Sequence, residues 1–493
     1  MTLPDITVNQ RDGSNGQLST GSGTLRAKMG VSSSGTAATI IEINSLDDVQ
    51  TKLVSGPGAE ACAFDVQQNG PGILFVPING SVAGSLGTIA SVGGGTAPTV
   101  TGTPKSSYDV IVTLVDGGAV GTSTFTYSLD NGYTTSAKAV TASTVALNEP
   151  ITGAGTGLTI NFGAGTYTAG STHKIAAYAP HFGTSDLTAG FTALLADPRA
   201  WPVVHIVGAN HGTSVDATNC AAAATLAATV EAQMGAAFTA ARDACAIMDP
   251  PDLYARGAQT TTFDTALSSA FASFAGKRTW MGSGYVDLLC PLTGLVRRRP
   301  GTWPVVNRVG GNIVNGLLAD DPAYVGAGSL PSVVKLWRDE RSQPAAHDAR
   351  MMALRTHVRR PGFYVSSSIG LTAAGSDYSY LPNRLVMDYF TSVMRDAVAP
   401  FLSTKLRVNP NGTIYELDAI DIETALTSQI VALVLAQGYI SPPTSTTPLI
   451  TVDRTNNLRT TSTLKVRGRA TPLAYARNIA VDIGFNPTVL VTA

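Results

Sequence analysis

The apolar run WPVVHIVG at positions 201–208 decides the fold class. A short, continuous apolar run of this kind is typical of a strand that is buried on both faces of a sheet. Four segments of alternating type follow it: an Ala-rich helix over 216–241, a strand at Cys245–Met248, a helix over 263–274 and a strand over 280–290. This alternation of strand and helix predicts a partly parallel sheet with helices on its faces.

The segment before this pattern adds further elements of the same α/β unit. Residues 37–43 form a strand-like run, and Ser45, followed by Asp47 and Asp48, predicts a helix N-terminus with a helix that continues through Leu53. A second helix over 59–68 and an apolar strand over 73–78 follow.

Residues 85–178 differ in character from both flanks. Short alternating strands are predicted over 108–115, 123–128, 158–162 and 174–178, with Gly/Asn/Asp turns between them. Strands of this length and spacing predict a small β-sandwich or barrel. We interpret this region as an insertion into the flanking α/β unit.

The predicted fold class is therefore α/β (α+β) and multidomain, with a central partly parallel sheet and flanking helices, an inserted all-β domain, and extended N- and C-terminal β-arms. The expected parts are an N-terminal arm and linker (1–25), an α/β core (26–84 plus 179–295), the inserted β-sandwich-like outer domain (85–178), a C-terminal α/β assembly domain (296–474) and a C-terminal arm (475–493).

Two amphipathic helices are predicted in the assembly domain, over 381–400 and 420–437. In the second helix, one apolar stripe is expected to be buried, and Gly438 is expected to end the helix. The members of the stripe are Ile422, Leu426, Ile430 and Leu433.

Both ends of the chain carry strand-like patterns. Residues 475–485 alternate strictly between two faces, and Ile6-Thr7-Val8 offers a shorter strand that a Gly/Ser/Thr-rich linker follows. A terminal strand without a hairpin partner either returns to a distant sheet or pairs with another chain. We expect pairing with another subunit, through Leu3, Ile6 and Val8 in the N-terminal arm and Tyr475, Ile479, Val481, Ile483 and Phe485 in the C-terminal arm.

Charged residues make up only 14% of the 493 residues, against about 25% in typical soluble proteins. Such a surface suits a protein that is covered by copies of itself, although a stable secreted protein or an Ala/Thr/Gly-biased genome would give a similar composition. The net charge of −1 gives no global basic field for nucleic acid. We expect neither a secretory signal nor a transmembrane helix.

The four cysteines have no CxxC spacing, which argues against a zinc ribbon or a redox motif. They are Cys62, Cys220, Cys245 and Cys290. We expect reduced thiols in the core, and disulfides between chains stay an open alternative.

Candidate catalytic residues are few. His211-Gly212-Thr213 is similar to the His motif of subtilisin-like proteases, but no segment supplies the activated Ser and the Asp of a triad. Asp249 and Asp252 follow a predicted strand, where α/β folds place active sites, and a simple turn is favoured there. Neither a phosphate-binding loop nor a metal-ligand spacing of His residues is present. We therefore expect no catalysis, no cofactor and no metal.

Residues 295–361 hold the densest basic residues, with carboxylates interleaved among them. Because aromatic residues for base stacking are few, a contact with a neighbouring subunit is favoured over a nucleic-acid patch. The expected contact residues are Arg297, Arg298, Arg299, Arg338, Arg355 and Arg359.

Several segments together resemble the contractile tail sheath proteins of myophage-type phages and related contractile injection systems. In the N-terminal part, the segments are Gly30-Val31, the strand and the Ser45-Leu46-Asp47-Asp48 helix start that follow it, and Asn69-Gly70-Pro71-Gly72 before an apolar strand. The central segments are the strand–helix repeat over 201–290 and Arg299-Pro300 with residues 310–318. Towards the C-terminus they are residues 363–367, Asn383-Arg384-Leu385 and the tail from Pro472. The sequence departs from the family pattern in having a single Arg at the 383–385 helix start and in lacking a Glu before the tail strand.

The resemblance implies a structural subunit without catalysis, which polymerises as stacked hexameric rings around a tail tube and contracts to drive the tube through the host envelope. It further implies that the arms add strands to neighbouring subunits and that the basic residues contact other subunits or the tube. The implied partners are baseplate and tail terminator proteins. Neither nucleic acid nor insertion into a membrane is expected. The expected location is the contractile tail of a virion, assembled in the host cytoplasm.

Two other classes of function stay open at this point. One is an α/β hydrolase or protease-like enzyme that uses His211, and the other is a surface adhesin or S-layer-type structural protein.

Overall fold

The computed structural model describes residues 25–149, 152–208, 217–251, 261–342, 344–373, 375–444, 446 and 448–477. The chain divides into two compact units, Met1–Ser392 and Val393–Ala493, and each is described here by itself.

A six-stranded sheet forms the centre of the first unit. Its strands lie in the spatial order Thr279–Met281, Cys245–Met248, Val203–Ile206, Arg26–Gly30, Ile73–Pro77 and Ile41–Ile43. All neighbours are parallel except Ile41–Ile43, which runs antiparallel to its neighbour at one edge. The prediction of a partly parallel sheet is confirmed, and the buried strand expected in 201–208 lies next to the first strand of the sheet.

Helices accompany this sheet because their apolar faces close its core. In chain order they are Leu46–Asp48, Pro57–Asn69, Thr184–Ala196, Ala217–Thr239, Thr261–Phe271 and Thr302–Val314, and Leu381–Val398 begins in the first unit. Side chains of several strands and helices share one hydrophobic cluster, which includes Met29, Phe191, Ile206, Met234 and Met248.

The helix start predicted at Ser45 is confirmed in detail. The Ser45 hydroxyl accepts a hydrogen bond from the Asp48 N–H at 3.1 Å, which satisfies one of the free donors at the start of a helix. The helix is shorter than expected, because after Asp48 the backbone widens into a π-helical segment, Val49–Leu53.

The single strand expected over 280–290 is wrong. Two strands, Thr279–Met281 and Tyr285–Leu289, form instead, and they belong to different sheets. Between them, Gly284 has a φ of +82°, and a Cβ at Gly282 would lie 2.0 Å from the Thr302 hydroxyl. The chain turns here because two glycines allow a backbone path that other residues would block.

A small antiparallel sheet continues from this turn. Tyr285–Leu289 pairs with Val296–Pro300 in a hairpin and with Val333–Leu336 on its other side. A second hairpin joins Leu354–His357 to Arg360–Val365, and a 3₁₀ turn lies at Val325–Ala327.

The inserted region consists of antiparallel strands. One sheet contains Ser85–Leu86, Ala90–Val92, Tyr108–Asp116, Thr124–Ser128, Ala139–Val140 and Thr172–Tyr178; another contains Thr99–Gly102, Thr144–Asn148 and Gly155–Asn161; and Gly118–Ala119 pairs with Thr166–Tyr167. Alternate residues of these strands fill one hydrophobic cluster around Tyr108, Phe125 and Phe162.

The second unit contains the end of Leu381–Val398, a 3₁₀ turn at Ala399–Phe401, the helix Glu416–Ile430 with a π-helical segment Val431–Leu435, and the short helix Leu458–Thr461. Two small antiparallel pairs, Ile440–Ser441 with Thr471–Pro472 and Ile450–Val452 with Val466–Gly468, complete it.

The apolar stripe predicted on the helix of the second unit is correct for Ile422, Leu426 and Ile430, which are buried, and wrong for Leu433, which is 46% exposed. The π-helical segment adds one residue to the last turn, so Val434 becomes the buried side chain. Gly438 follows with a φ of +72°, as expected for a glycine that ends a helix.

All four cysteines are buried and unbonded to one another, which confirms the expected reduced thiols. Burial raises the pKa of Cys290 to about 11, so this thiol stays protonated at neutral pH.

Candidate functional site

The terminal arms lie almost entirely outside the described residues. This applies to Leu3, Ile6 and Val8, and to Ile479, Val481, Ile483 and Phe485. Of the arm residues, Tyr475 is described; it is half-buried, and the Arg477 guanidinium lies 5.3 Å from the centre of its ring. Pairing of the arms with another subunit therefore stays a prediction.

A buried charge network joins the helix Pro57–Asn69 to the hairpin strand Val296–Pro300. Arg297 donates from Nη1 to Glu60 Oε1 at 2.5 Å, and Arg299 donates from Nη2 to Glu60 Oε2 at 2.6 Å. The two arginines lie two residues apart on one strand, so their side chains point to the same face of the hairpin. Glu60 is thereby held between two guanidinium groups.

The same network reaches into the inserted region. The second guanidinium nitrogen of Arg297, Nη2, donates to Glu149 Oε1 at 2.6 Å, and the Arg297 guanidinium lies 4.6 Å from the centre of the Tyr108 ring. Ser106 donates to Glu60 at 2.8 Å. Two arginines and two glutamates thus form a buried cluster of balanced charge.

The two arginines favour the ionised form of Glu60 more strongly than burial disfavours it. Burial alone would raise the pKa of Glu60, but the nearby Arg297 and Arg299 hold that pKa below its usual value. Removing one partner of such a buried pair typically costs about 3–5 kcal/mol, since the remaining charge is left uncompensated.

The hairpin also contributes to the hydrophobic core of the inserted region. Leu295, just before strand Val296–Pro300, is buried in the same cluster as Tyr108, Leu147 and Phe162. On the opposite strand, Asp287 accepts hydrogen bonds from Tyr133 of the inserted region at 2.9 Å and from Trp337 at 2.6 Å. Leu295, Arg297 and Asp287 thus connect the hairpin to the inserted region.

The burial of Arg297, Arg298 and Arg299 does not fit the expected contact with a subunit or a tube. The Arg298 guanidinium lies 4.6 Å from the centre of the Tyr285 ring. Arg297 and Arg299 on either side of it in the sequence form ion pairs with carboxylates of this chain. Arg338 is buried too and forms an ion pair with Asp264 at 3.0 Å. These four arginines therefore have an internal role in this structure.

Glu60 and Glu149 were not predicted as site residues, because they lie in other elements and far away along the chain. A usable signal is the spacing of Arg297 and Arg299 on a strand whose flanks are apolar, since two buried cations at i and i+2 require carboxylates on the facing element.

A second buried row of charges crosses the central sheet. Lys28 lies 3.0 Å from Asp65 Oδ2 and 3.4 Å from His205 Nδ1, its neighbour on the adjacent strand. His205 Nε2 lies 3.0 Å from Asp249 Oδ1, and Asp249 Oδ2 accepts from Trp303 Nε1 at 2.9 Å. Because an ammonium group can only donate, Nδ1 accepts and Nε2–H donates to Asp249.

This row suits a structural role for His205. Burial lowers the pKa of His205, and although Asp249 opposes this and Lys28 adds to it, the ring stays neutral at pH 7. Both ring nitrogens already have partners, so His205 has no free nitrogen to activate a nucleophile. Asp249 is fully engaged in the turn after its strand, while Asp252 and His211 lie outside the described residues.

Arg384, which contributed to the family resemblance at the 383–385 helix start, is also buried. Its Nε donates to Asp388 at 2.9 Å, and Asp388 accepts a further bond from Arg278 at 3.0 Å. A single arginine at this helix start is thus combined with Arg278, the residue just before the edge strand Thr279–Met281 of the central sheet.

Arg355 and Arg359 differ from the buried arginines. Both belong to the hairpin formed by Leu354–His357 and Arg360–Val365, where Arg355 is half-buried and Arg359 is exposed at the turn. The expectation of an external contact therefore stays a prediction for these two residues.

Within the described ranges, no group of three or more His, Cys, Asp and Glu side chains is arranged to hold a metal ion. No helix in the described part of the chain is both long enough and apolar enough to cross a membrane.

The family model of the DUF2586 N-terminal domain matches residues 3–270, which is more than half of the chain. The chain therefore belongs to the DUF2586 family. No curated protein matches the sequence significantly.

Solved structures show the fold at low sequence identity. A chain of the anti-feeding prophage (AFP) baseplate in its contracted state has a TM-score of 0.54 and 11% identity, with 99% of this chain and 100% of that chain covered. A chain of the PVC sheath complex, an extracellular contractile injection system in its contracted state, has a TM-score of 0.52 and 10% identity, with coverage of 99% and 98%. A chain of the 6-fold symmetrised AFP baseplate has a TM-score of 0.52 and 11% identity, with 99% of each chain covered. The resemblance to the contractile-system family is thus confirmed at the level of the fold.

Proposed function

We propose that this chain is a structural subunit of a contractile tail sheath, in a phage tail or a related injection system. The observation that carries this proposal is the end-to-end likeness to chains of contractile particles, including the PVC sheath complex, over 98–100% of both chain lengths. A likeness restricted to the central sheet would support only a common α/β core. Here the inserted region and the second unit lie within the match as well.

The proposed assembly is a stack of hexameric rings around a tail tube. Contacts between unlike surfaces of neighbouring copies give a helical array, and the terminal arms add strands to sheets of other copies. The low content of charged residues, 14%, supports a surface that is mostly covered by other copies. Besides itself, the expected partners are a tail tube protein, a baseplate and a tail terminator, in a particle that assembles in the host cytoplasm.

Contraction in this proposal is a rearrangement of rigid subunits without nucleotide or cofactor. Arms keep the copies connected while the bodies rotate and slide into a more compact packing. The buried charge network supports this mechanism, because Arg297 binds Glu60 and Glu149 at once and so resists separation of the inserted region from the core. A subunit that deformed internally would lose part of the force that drives the tube.

Negative-stain electron microscopy of the purified full-length chain tests the proposal. We expect tubes or hexameric rings, formed by the chain alone at high concentration or together with a tail tube protein. A protein that stays monomeric under both conditions contradicts the proposal.

A further inference from the structure

The hairpin of strands Leu354–His357 and Arg360–Val365 ends in a basic, exposed turn. His357 pairs with Arg360 at the end of the ladder, and Val358 and Arg359 form the turn, with Val358 63% exposed. Arg341 and Arg355 lie beside this turn. We call the five basic side chains Arg341, Arg355, His357, Arg359 and Arg360 the basic tip.

Three arginines of the basic tip act electrostatically on the His357 ring. The pKa of His357 lies below its usual value, first because of burial and then because of the charges of Arg355, Arg360 and Arg341, with Asp339 opposing them. Asp339 accepts hydrogen bonds from the Arg341 N–H at 3.0 Å and the Thr356 N–H at 3.0 Å, so its carboxylate holds the backbone in place.

Many of the described arginines, unlike those of the tip, are paired with carboxylates of this chain. Ion pairs with carboxylates of this chain are formed by Arg26, Arg278, Arg297, Arg299, Arg338 and Arg384. In the described part of the chain, no ion pair involves Arg341, Arg355, Arg359 or Arg360. Four guanidinium groups with one carboxylate, Asp339, among them still repel one another, and an external acidic partner would relieve this repulsion.

The backbone at the turn adds an independent observation. Arg359 has a φ of +62°, a conformation that is unfavourable for a residue with a side chain and that Gly or Asn adopts more easily. A β-turn alone would therefore be better served by Gly at this position. The turn places the Arg359 side chain in solvent, where an external carboxylate can reach its guanidinium group.

The acidic start of the helix Glu416–Ile430 offers the matching surface on another copy. Glu416, Asp418, Asp421 and Glu423 lie within eight residues, and the helix contains neither Lys nor Arg. Arg454 binds Glu416 and Glu423, and Arg407 binds Asp418, which leaves Asp421 exposed and without an ion pair among the described residues.

We propose that the basic tip of one copy binds the acidic helix start around Asp421 of a second copy. This inference rests on the proposed sheath function and names one contact between subunits in it. Two copies that join through unlike surfaces form an open, head-to-tail array. Because both faces are exposed, the contact is screened by salt and serves specificity and rate of assembly more than rigidity.

Charge reversal tests this contact. The variant Arg359→Glu/Arg360→Glu is compared with wild type and with Lys105→Glu/Lys174→Glu, which changes the net charge equally at exposed lysines of the inserted region. We expect the assembled fraction, measured by sedimentation at low salt, to fall at least tenfold in the first variant and to be unchanged in the second, with equal melting temperatures.

A swap chain that carries Arg359→Glu, Arg360→Glu and Asp421→Lys restores assembly if the two faces meet. A swap chain that stays unassembled overturns the pairing, and so does full assembly of the Arg359→Glu/Arg360→Glu variant while wild type assembles. Wild type that never assembles contradicts the sheath proposal itself, and this inference with it. Binding of labelled duplex DNA that this variant loses while its assembly persists would assign the tip to nucleic acid instead.

Discussion

Arg297 and Glu149 lie 2.6 Å apart, and this ion pair connects the core hairpin to the inserted β region inside a buried site. The other end of the same guanidinium group binds Glu60, so one side chain holds three parts of the fold together. A charge in this position cannot be solvated if either carboxylate is lost, and several consequences can be measured.

Glu60→Gln should destabilise the chain by about 3–5 kcal/mol, because Arg299 would lose its carboxylate partner in a buried site and Arg297 would retain only Glu149. Urea denaturation of the monomer at low concentration measures the free energy of unfolding. The matched control is Asp47→Asn, which removes one carboxylate charge from an exposed helix start and is expected to change stability by at most about 0.5 kcal/mol. Equal effects of the two variants would show that the network contributes little.

The stabilising effect of Glu60 should disappear in acid. The pKa of Glu60 is lower in the folded chain than its usual value, so its contribution is present above about pH 4.3, the pKa in an unfolded chain, and is lost as the pH falls through the folded pKa. Asp65 behaves in the same way, since Lys28 and Arg26 outweigh its burial and lower its pKa.

Thermal unfolding of wild type and Glu60→Gln between pH 7 and pH 3 measures this loss. The difference in melting temperature is expected to be largest at pH 7 and to shrink as the pH falls below about 4.3, where Glu60 becomes protonated first in the unfolded chain. A difference that stays constant down to pH 3 would mean that the charge of Glu60 is not responsible for its effect.

The π-helical segment Val431–Leu435 can be tested by two neighbouring truncations. Val434→Ala should cost about 2 kcal/mol, because it removes two buried methyl groups at roughly 0.8 kcal/mol each and leaves a small cavity. Leu433→Ala removes a larger side chain, yet it should change stability by at most about 0.5 kcal/mol, since Leu433 is exposed. The reverse order would place the helix in its regular α-helical phase.

Apolar runs and strand–helix alternation were enough to predict the central parallel sheet, because each of its elements is recognisable from its own residues. The apolar strand in 201–208 and the strand Cys245–Met248 lie side by side in a parallel sheet, as strand–helix alternation requires. The helix phase at Leu433 could not be predicted, because a π-helical turn shifts the pattern by one residue without a clear sequence signal.

The buried role of Arg297 was hidden from the sequence for a different reason. Its partner Glu60 lies 237 residues away along the chain, and one sequence carries no sign of that pairing. Three consecutive arginines in a loop-rich region therefore indicated an exposed surface, whereas the structure matches two of them with carboxylates in the core. Arg359 is exposed at its hairpin turn, and its contact with a neighbouring subunit stays a prediction.

The C-terminal arm gives the most direct test of assembly. Deleting residues 475–493 should leave a folded monomer, with an unchanged melting temperature for the remaining chain, that forms neither rings nor tubes in electron micrographs. Deleting only residues 486–493 retains the alternating strand and should permit assembly, which separates loss of the strand from loss of chain length.

Single substitutions refine this test, because neighbouring residues of a strand point to opposite faces. Val481→Asp should block assembly, since the predicted apolar face would carry a charge where it packs against another copy. Ala480→Asp adds the same charge on the other face and should reduce assembly far less. If the 475–493 deletion still forms long sheaths, strand exchange through this arm is excluded, and the contacts between copies must come from surfaces such as the basic tip.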